Sequence, residues 1–323
     1  MADEEKKRVC VTGAGGYLAS WLVKLLLSNG YFVHGTVRNP VDEKKNAHLY
    51  ELDGASENLR LFKADLLDQD SLRSAIQGCA GVFHVASPLP SNHAGIENPE
   101  KELIEPAVKG TFNVLQACLE ENVKRVIVVS SGAAVSMNPN WPKDQAMDET
   151  CWSDADFQKS QKSWYPLSKT LAEREAVEFG KRTGLDVVRV CPVLVLGPML
   201  QRTVNASSLF LIRLLKGGNE STDDRLMKIV DVRDAAKSLL LAYEKPAAEG
   251  RYISASHMIK SGDLMAKLRT LYPQYSYPRS FNKVDEGPNL TSEKMQKLGW
   301  KFRTLEETLI DSVACYRDAG LLD

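Results

Sequence analysis

The sequence predicts an α/β fold in which a doubly wound parallel sheet is joined to a smaller, mixed α/β lobe at the C-terminal end. As far as Pro198, short valine-rich apolar segments alternate with segments that carry apolar residues at helical spacing. Such alternation is typical of a parallel sheet covered by helices on both faces. A glycine-rich turn joins the first apolar segment to the first helical one, as in dinucleotide-binding units. We therefore expect a Rossmann-type main sheet.

Local signals predict each element of that sheet. Short runs rich in branched apolar residues indicate buried strands, and apolar residues at a period of 3.6 indicate helices. The first helix ends at Gly30, a residue typical of the position just beyond a helix. The predicted strands are Arg8–Thr12, Phe32–Arg38, Leu59–Lys63, Gly81–Val85, Arg125–Ser130 and Asp186–Pro192. The predicted helices are Tyr17–Asn29, Asp70–Gln77, Lys101–Glu120 and Lys169–Thr183.

The weaker alternation after Pro198 predicts a second unit. We expect a dinucleotide-binding domain over residues 1–195, with returns near 228–255, and a substrate-binding lobe over 196–227 and 256–323. The stretches expected to return to the main sheet are Asp231–Tyr243 and Gly250–Ile253. The stretches expected to be polar or rich in turn residues are Gly217–Asp224 and Tyr272–Pro288.

The composition is that of a globular protein. The 323 residues are 43% hydrophobic and 26% charged, with a net charge of −1, so we expect neither a nucleic acid nor a membrane partner. No apolar run reaches the roughly 18 residues of a membrane span, and the charged segment Met1–Arg8 is unlike a secretory signal. Six cysteines without metal-ligand spacing indicate reduced thiols, a cytoplasmic protein and no metal site. The sequence carries no assembly signal, so we expect a monomer or a weak homodimer.

Tyr165 and Lys169 form a candidate acid–base pair. Their spacing of four residues places both side chains on one helix face. An ammonium beside a phenol favours the phenolate and lowers the tyrosine pKa, which is about 10 in a free side chain. Such a phenol can give a proton to a carbonyl or take one from an alcohol. Chance often produces this spacing on helix surfaces, so the pair needs support from the rest of the chain.

The first turn of the chain gives that support. Gly13, Gly16 and Ala19 lie between a strand and a helix, where glycines allow backbone N–H groups to approach a pyrophosphate. An ordinary strand-to-helix turn is an equally good interpretation of these glycines alone.

The second strand indicates which dinucleotide binds. It ends at Arg38, and Lys44 and Lys45 follow. An arginine at this point suits the 2′-phosphate of NADP, whereas an acidic residue suits the ribose hydroxyl of NAD. The alternative is a solvated basic loop offset by Asp42 and Glu43. We favour NADP because a guanidinium matches phosphate geometry.

Two further strand ends carry candidate residues. Asp65 and Leu66 follow the third strand, where they can meet the adenine, although Asp65 could equally begin a helix. Ser130 and Ser131 end the fifth strand, where a hydroxyl can hydrogen-bond the carbonyl that Tyr165 protonates. Pro166 is tolerated only in the first turn of a helix, so it places Tyr165 at the helix N-terminus.

Six motifs then identify a family. They are Val-Thr-Gly-Ala-Gly-Gly-Tyr-Leu-Ala-Ser-Trp-Leu-Val-Lys (11–24), Gly-Thr-Val-Arg (35–38), Lys-Asn-Ala-His-Leu (45–49), Val-Phe-His-Val-Ala-Ser-Pro (82–88), Val-Val-Ser-Ser (128–131) and Arg-Val-Cys-Pro-Val-Leu-Val-Leu-Gly-Pro (189–198). Over nearly its whole length the chain resembles the extended short-chain dehydrogenase/reductase family, and within it the plant cinnamoyl-CoA reductase and dihydroflavonol reductase group.

This resemblance implies an enzyme that uses NADP(H) and a set of site residues. The implied catalytic residues are Ser131, Tyr165 and Lys169. The implied cofactor-binding residues are Gly13, Gly15, Gly16, Tyr17, Leu18, Arg38, Lys44, Lys45, Asp65, Leu66, Ala86, Ser87, Tyr165, Lys169, Pro192, Val193 and Leu194. The implied substrate-binding residues are Pro88, Ser131, Ser136 and Phe210. One residue inserted between Arg38 and Asn46 leaves open which lysine meets the 2′-phosphate.

Departures from the family pattern bear on the substrate. Cinnamoyl-CoA reductases usually have Asn-Trp-Tyr-Cys-Tyr-Gly-Lys where this chain has Ser-Trp-Tyr-Pro-Leu-Ser-Lys (163–169). Phe210 stands where they have a histidine that handles the CoA end, and Arg213 stands near their lysine. Gln158 replaces the cysteine that would pair with Cys151, and Ser136 replaces the asparagine by which dihydroflavonol reductases recognise flavonoid hydroxyls.

The chain thus lacks the specifying residues of both named enzymes. The resemblance favours an NADPH-dependent reductase of aromatic aldehydes or ketones, phenylpropanoid or benzenoid, which transfers the pro-S hydride with Tyr165 as proton donor. The alternatives are a cinnamoyl-CoA reductase, a dihydroflavonol reductase-like enzyme, a non-catalytic NADP-binding scaffold and a nucleotide-sugar epimerase. The physiological substrate and the direction of flux stay open.

Overall fold

The computed structural model describes residues 8–88, 97–217, 221–278, 280–284 and 287–323. In chain order the strands are β1 (Arg8–Thr12), β2 (Phe32–Val37), β3 (Leu59–Lys63), β4 (Gly81–His84), β5 (Arg125–Val129), β6 (Val187–Pro192), β7 (Leu194–Leu196), β8 (Ser221–Asp223), β9 (Leu226–Asp231), β10 (Arg251–Ser254), β11 (His257–Lys260) and β12 (Ser280–Asn282). The α-helices are α1 (Tyr17–Ser28), α2 (Glu43–Tyr50), α3 (Ala55–Asn58), α4 (Gln69–Ile76), α5 (Glu105–Glu120), α6 (Ala155–Ser160), α7 (Trp164–Thr183), α8 (Ala206–Lys216), α9 (Val232–Glu244), α10 (Ser261–Leu271), α11 (Glu293–Lys297) and α12 (Leu305–Asp318). A π-helical turn, Glu100–Ile104, precedes α5, and a 3₁₀ turn, Gly132–Ala134, follows β5.

The main sheet has seven parallel strands in the order β10-β6-β5-β4-β1-β2-β3. From β1 the chain runs outward through β2 to β3, and it then returns to build the other half from β4. In sheets of this kind a ligand binds beyond the carboxyl ends of the strands at the point where the order reverses. The predicted fold class is confirmed, and the reversal between β1 and β4 marks where to look for a site.

Both faces of the main sheet are buried, because successive side chains of a strand point to opposite faces. Val9 and Val11 pack in one core with the leucines of α1 and α9. Cys10, between them in the sequence, lies in the opposite core with residues of α4 and α5. Burial on both faces explains why these strands read as continuous apolar runs rather than as alternating ones.

A smaller lobe follows the sixth strand of the main sheet. Strands β7, β9 and β11 form a three-stranded sheet, and β8 and β12 form a two-stranded one. Leu211, Leu264, Leu309 and Tyr316 are buried together in the core of this lobe. The chain returns to the main sheet as β10, and α9 packs against α1. No helix of the described ranges is long and apolar enough to cross a membrane.

The structure corrects one local prediction and adds two helices that the sequence did not indicate. The segment Gly217–Asp224 was expected to be a polar loop, yet Ser221–Asp223 pairs with Ser280–Asn282 as a parallel strand. This strand is short and polar and its partner is distant in the chain, so it leaves no local pattern in the sequence. Helices α2 and α3 were also not predicted. Of the stretches expected to be polar or turn-rich, residues 218–220, 279, 285 and 286 lie outside the described residues.

Candidate active site

Ser131, Tyr165 and Lys169 meet at the carboxyl end of β5. Ser131 is the second residue after that strand, and Tyr165 is the second residue of α7. Pro166 lies in the first turn of α7, where its missing N–H costs no helical hydrogen bond. The side chain of Ser131 forms a hydrogen bond with the Tyr165 hydroxyl. The structure therefore brings together the three residues that the sequence predicts to be catalytic.

The pKa of Tyr165 differs from the sequence-based expectation. The residue as a whole is 37% exposed, but desolvation around its hydroxyl raises the pKa of the phenol above the usual value, while the hydrogen bond with Ser131 lowers it in part. Lys169 donates from Nζ to the carbonyl oxygen of Val129 at 2.8 Å. The expected lowering of the Tyr165 pKa by Lys169 is therefore wrong for this structure, because the ammonium is directed at a backbone carbonyl rather than at the phenol.

Burial also affects Lys169 itself. The side chain is 7% exposed, and burial lowers the pKa of its amine to about 8, although Glu173 opposes this shift. A cavity of about 10 Å³ adjoins it, lined in part by His84, Thr111 and Ser130. This volume and these polar walls suit one water molecule. Lys169 thus lies beside a small pocket with polar and apolar lining residues rather than on a solvated helix face.

Ser130 and Ser131 have different partners. The Ser130 hydroxyl donates to Oε2 of Glu173 at 2.5 Å and is buried. Oγ of Ser131 accepts from the backbone N–H of Ala133 at 3.1 Å and faces the opposite way along the strand end. The Ser130 hydrogen bond therefore connects the end of β5 to α7. Ser131 is the serine whose hydroxyl lies beside Tyr165.

A buried ion pair, which the sequence analysis missed, lies below these residues. Glu173 is 1% exposed and Arg251 is 3% exposed, and Nε of Arg251 lies 2.6 Å from Oε1 of Glu173. Arg251 also donates to the backbone carbonyl oxygens of Ala134 and Cys151. One signal could have pointed to Glu173: it continues the four-residue spacing of Tyr165 and Lys169 along α7.

The glycine turn before α1 fits a dinucleotide. Gly13 has a φ of +67°, and a Cβ there would lie 3.0 Å from Cβ of Ala86. A Cβ on Gly15 would make only ordinary contacts, at 3.9 Å, with Asn46, His48 and Val37. Gly16 caps α1 without a side chain, so the first N–H groups of the helix are left for an anion. Nε2 of His48, buried beside Gly15, has no hydrogen-bond partner within the described part of the chain.

The predicted 2′-phosphate residues lie together after β2. Arg38 directly follows that strand and is exposed, as are Lys44 and Lys45 in the first turn of α2. The Asp42 side chain caps α2 by accepting from the backbone N–H of Lys45. Nζ of Lys45 lies 3.5 Å from Oδ2 of the same aspartate. Lys45 is therefore already paired with a carboxylate, which distinguishes it from Lys44.

The remaining cofactor candidates lie at the ends of β3, β4 and β6. Asp65 accepts from the backbone N–H of Leu67 at 2.8 Å, and Asp68 rather than Asp65 caps the following helix. The backbone N–H of Ala86 donates to the side chain of Thr12. A Cβ on Gly132 would lie 2.8 Å from Val193, so Val193 lies against the turn that follows Ser131. Leu66 follows β3, Ser87 and Pro88 follow β4, Pro192 ends β6 and Leu194 begins β7. Tyr17 and Leu18 instead begin α1, directly after the glycine turn.

The substrate candidates lie on two elements. Ser136 belongs to the turn after Ser131, where its backbone N–H donates to the carbonyl of Gly132. Phe210 is half-buried in α8 of the smaller lobe. Gln158 is buried and donates to the carbonyl of Ala133, which lies in the same turn as Ser136. All six cysteines are free thiols.

Comparison with known proteins identifies relatives that match most of the chain. Residues 9–254 match the family model "NAD dependent epimerase/dehydratase family". The chain is 46% identical to cinnamoyl-CoA reductase 1 of Petunia hybrida, over 97% of this chain and 93% of that one. It superposes on vestitone reductase from alfalfa (Medicago sativa) with a TM-score of 0.82 at 35% identity, covering 98% and 99% of the two chains.

A more distant structural neighbour is a yeast methylglyoxal/isovaleraldehyde reductase solved in complex with NADPH. The TM-score is 0.83 at 27% identity, and the match covers 98% of this chain and 100% of that one. The prediction of a nicotinamide dinucleotide cofactor is confirmed by the matched family. The chain belongs to the NAD dependent epimerase/dehydratase family, and within it to the oxidoreductases that include the plant cinnamoyl-CoA reductases and their reductase relatives.

Proposed function

We propose that this chain is an NADPH-dependent reductase that converts aromatic aldehydes or ketones, phenylpropanoid or benzenoid, to alcohols. The observation that carries the proposal is the meeting of Ser131, Tyr165 and Lys169 at the sheet edge that also holds the glycine turn. In this account residues 1–195, with returns near 228–255, form the cofactor-binding domain, and residues 196–227 and 256–323 form the substrate-binding lobe. Strand β9 (Leu226–Asp231) belongs to the three-stranded sheet of that lobe. We place the enzyme in the cytoplasm as a monomer or weak homodimer.

The protonation state of Tyr165 supports an acid role. Burial raises the pKa of the phenol, so the side chain is protonated at neutral pH and can donate to a carbonyl oxygen. The Ser131 hydroxyl, already hydrogen-bonded to Tyr165, would hold that same oxygen. Lys169 would bind the nicotinamide ribose. The chemistry that NADPH supplies when bound is a hydride for the carbonyl carbon.

The choice of a free carbonyl over a CoA thioester follows from the residues of the pocket. Phe210 and Ser136 replace the side chains by which the two named enzymes recognise their substrates. One structural neighbour is named a vestitone reductase, and another is named a methylglyoxal/isovaleraldehyde reductase. Neither name contains a CoA thioester. Both observations favour a free carbonyl group over a CoA thioester as the reacting group.

A cinnamoyl-CoA reductase is the second candidate, because 46% identity to an enzyme of that name favours it. An assay of NADPH oxidation with coniferaldehyde, benzaldehyde and feruloyl-CoA separates the two. We expect the aldehydes to be reduced without release of thiol. NADPH oxidation only with feruloyl-CoA, with one free thiol per NADPH, would overturn the proposal. A protein that binds NADPH but reduces none of the carbonyl compounds would be a scaffold.

Replacement of Arg38 by leucine tests the cofactor assignment. We propose that Arg38 and Lys44 hold the 2′-phosphate, since Lys45 is paired with Asp42. Losing a charge-assisted hydrogen bond of about 1.5–3 kcal/mol should raise the Kd for NADPH about 10- to 150-fold. NADH, which lacks that phosphate, should bind as before. Fluorescence titration of both dinucleotides measures the two constants.

The matched control is Arg60→Leu, which removes an exposed arginine from β3. Its Kd for NADPH should equal that of the unmodified protein. If Arg38→Leu raised the Kd for NADPH and the Kd for NADH equally, Arg38 would not be a ligand of the 2′-phosphate.

A further inference from the structure

Lys228 points away from the core of the smaller lobe. In β9 the side chains of Met227 and Ile229 pack into that core, so Lys228 and Val230 point to the opposite face, because strand side chains alternate. Val230 is buried in the core between the main sheet and α1. The Lys228 side chain therefore lies on the face of the small sheet that is turned toward the main sheet.

The neighbour of Lys228 on this face connects it to the candidate active site. Lys228 is paired with Met258 of the antiparallel strand β11, and paired side chains of antiparallel strands lie on the same face. Met258 packs against a buried cluster that contains Val135, and Val193 packs against the same cluster. Val135 follows Ser131 in one turn, and Val193 lies against that turn as well. The face of the small sheet that carries Lys228 therefore adjoins residues that pack against the turn after Ser131.

Lys228 has no anionic partner within the described ranges. It is half-buried, and burial alone lowers the pKa of its amine. Lys294 is also partly buried, but it donates to the carbonyl oxygens of Glu249 and Arg251 and has Glu149 nearby. Partial removal of an ammonium group from water, without such partners, has an unfavourable free energy. A negatively charged oxygen of a ligand would offset that free energy.

We propose that Lys228 is a specificity-determining residue that binds an anionic oxygen, a carboxylate or phenolate, on the part of the substrate remote from the reacting carbonyl. The proposal rests on the reductase function proposed above. It adds that the preferred aromatic carbonyl compound carries an acidic group. The partly buried apolar residues Val193 and Met258 would contact the ring, while the amine would fix the orientation of the ring in the pocket.

Lys228→Met tests this role by removing the charge and keeping the apolar stem. We would measure kcat/KM for 4-carboxybenzaldehyde and for 4-methylbenzaldehyde, which differ in the acidic group. The ratio of the two values should fall about 10- to 100-fold in Lys228→Met, the range expected for one charge-assisted hydrogen bond. Lys228→Arg should restore most of the ratio. The control Lys216→Met, at the exposed end of α8, should leave the ratio unchanged.

An unchanged ratio in Lys228→Met would overturn the proposal, as would equal losses for both aldehydes. If the unmodified protein oxidises NADPH with neither aldehyde, the proposed reductase function is wrong. The role of Lys228 is then tested by measuring ligand binding instead of turnover. Fluorescence titration of 4-methylbenzoate in the presence of NADPH should then give a Kd at least tenfold higher for Lys228→Met than for Lys216→Met. Equal Kd values for the two variants would show that Lys228 does not bind the anion, whether or not the protein is catalytically active.

Discussion

Tyr165→Phe is expected to lower kcat by about 10²–10⁴, the usual contribution of a general acid. The substitution removes one hydroxyl that is hydrogen-bonded to Ser131 and leaves the ring in place at the start of α7. NADPH should bind with little change, because the glycine turn and Arg38 are untouched. Stopped-flow absorbance at the NADPH band with a saturating aromatic aldehyde measures the rate, and a fluorescence titration measures the Kd.

A matched control removes a phenolic hydroxyl elsewhere. Tyr31 precedes β2 at the opposite end of the sheet, where its hydroxyl donates to Glu244 at 2.8 Å. Tyr31→Phe should retain the kcat of the unmodified protein. If Tyr165→Phe also kept near-normal turnover, Tyr165 could not be the proton donor.

Glu173→Gln is expected to lower the free energy of unfolding by about 3–5 kcal/mol. The carboxylate is 1% exposed and pairs with Arg251, which is 3% exposed. Neutralising one member leaves the other charge buried without its counterion. The Ser130 hydroxyl would also lose a charged acceptor at the end of β5. Denaturant unfolding followed by circular dichroism measures the loss.

Two further variants separate this effect from ordinary helix destabilisation. Glu178→Gln breaks an exposed ion pair with Lys181 on the same helix, and it should cost less than about 1 kcal/mol. The double variant Glu173→Leu/Arg251→Met removes both buried charges and should recover part of the stability lost in Glu173→Gln. A loss in Glu173→Gln no larger than that in Glu178→Gln would show that the buried pair does not stabilise the fold.

The sequence predicted those parts of the molecule that leave local signals. The main-sheet strands are short branched apolar runs, because both faces of the sheet are buried. Pro166 is tolerated only in a first turn, and it placed Tyr165 correctly at the start of α7. Gly13 has the positive φ that a tight turn requires. These predictions needed no knowledge of which segments pair in space.

Features that depend on distant contacts were missed. Glu173 and Arg251 are far apart in the chain, and neither residue alone differs from a solvated charge on a helix or strand. Strand β8 exists because Ser221–Asp223 pairs with Ser280–Asn282. The small sheet that carries Lys228 likewise joins β7, β9 and β11 across intervening helices. Pairing of this kind is set by the packed fold rather than by local propensity.

The pKa of Tyr165 was mispredicted for a geometric reason. Four-residue spacing places Lys169 on the same helix face as Tyr165, but it does not fix the direction of a flexible side chain. Nζ of Lys169 is bound to the carbonyl of Val129, and the burial of the phenol dominates its pKa. The proposed role of Tyr165 as an acid is compatible with this correction, because a raised pKa keeps the phenol protonated at neutral pH.

The central claim is hydride transfer from NADPH to a free aromatic carbonyl, and isotope transfer tests it most directly. The protein would be incubated with (4S)-deuterated NADPH and either coniferaldehyde or benzaldehyde, and the products analysed by mass spectrometry. We predict one deuterium on the carbinol carbon of the alcohol for each NADPH oxidised. Absence of labelled alcohol from either aldehyde, with deuterium appearing instead in the aldehyde formed from feruloyl-CoA, would contradict the account.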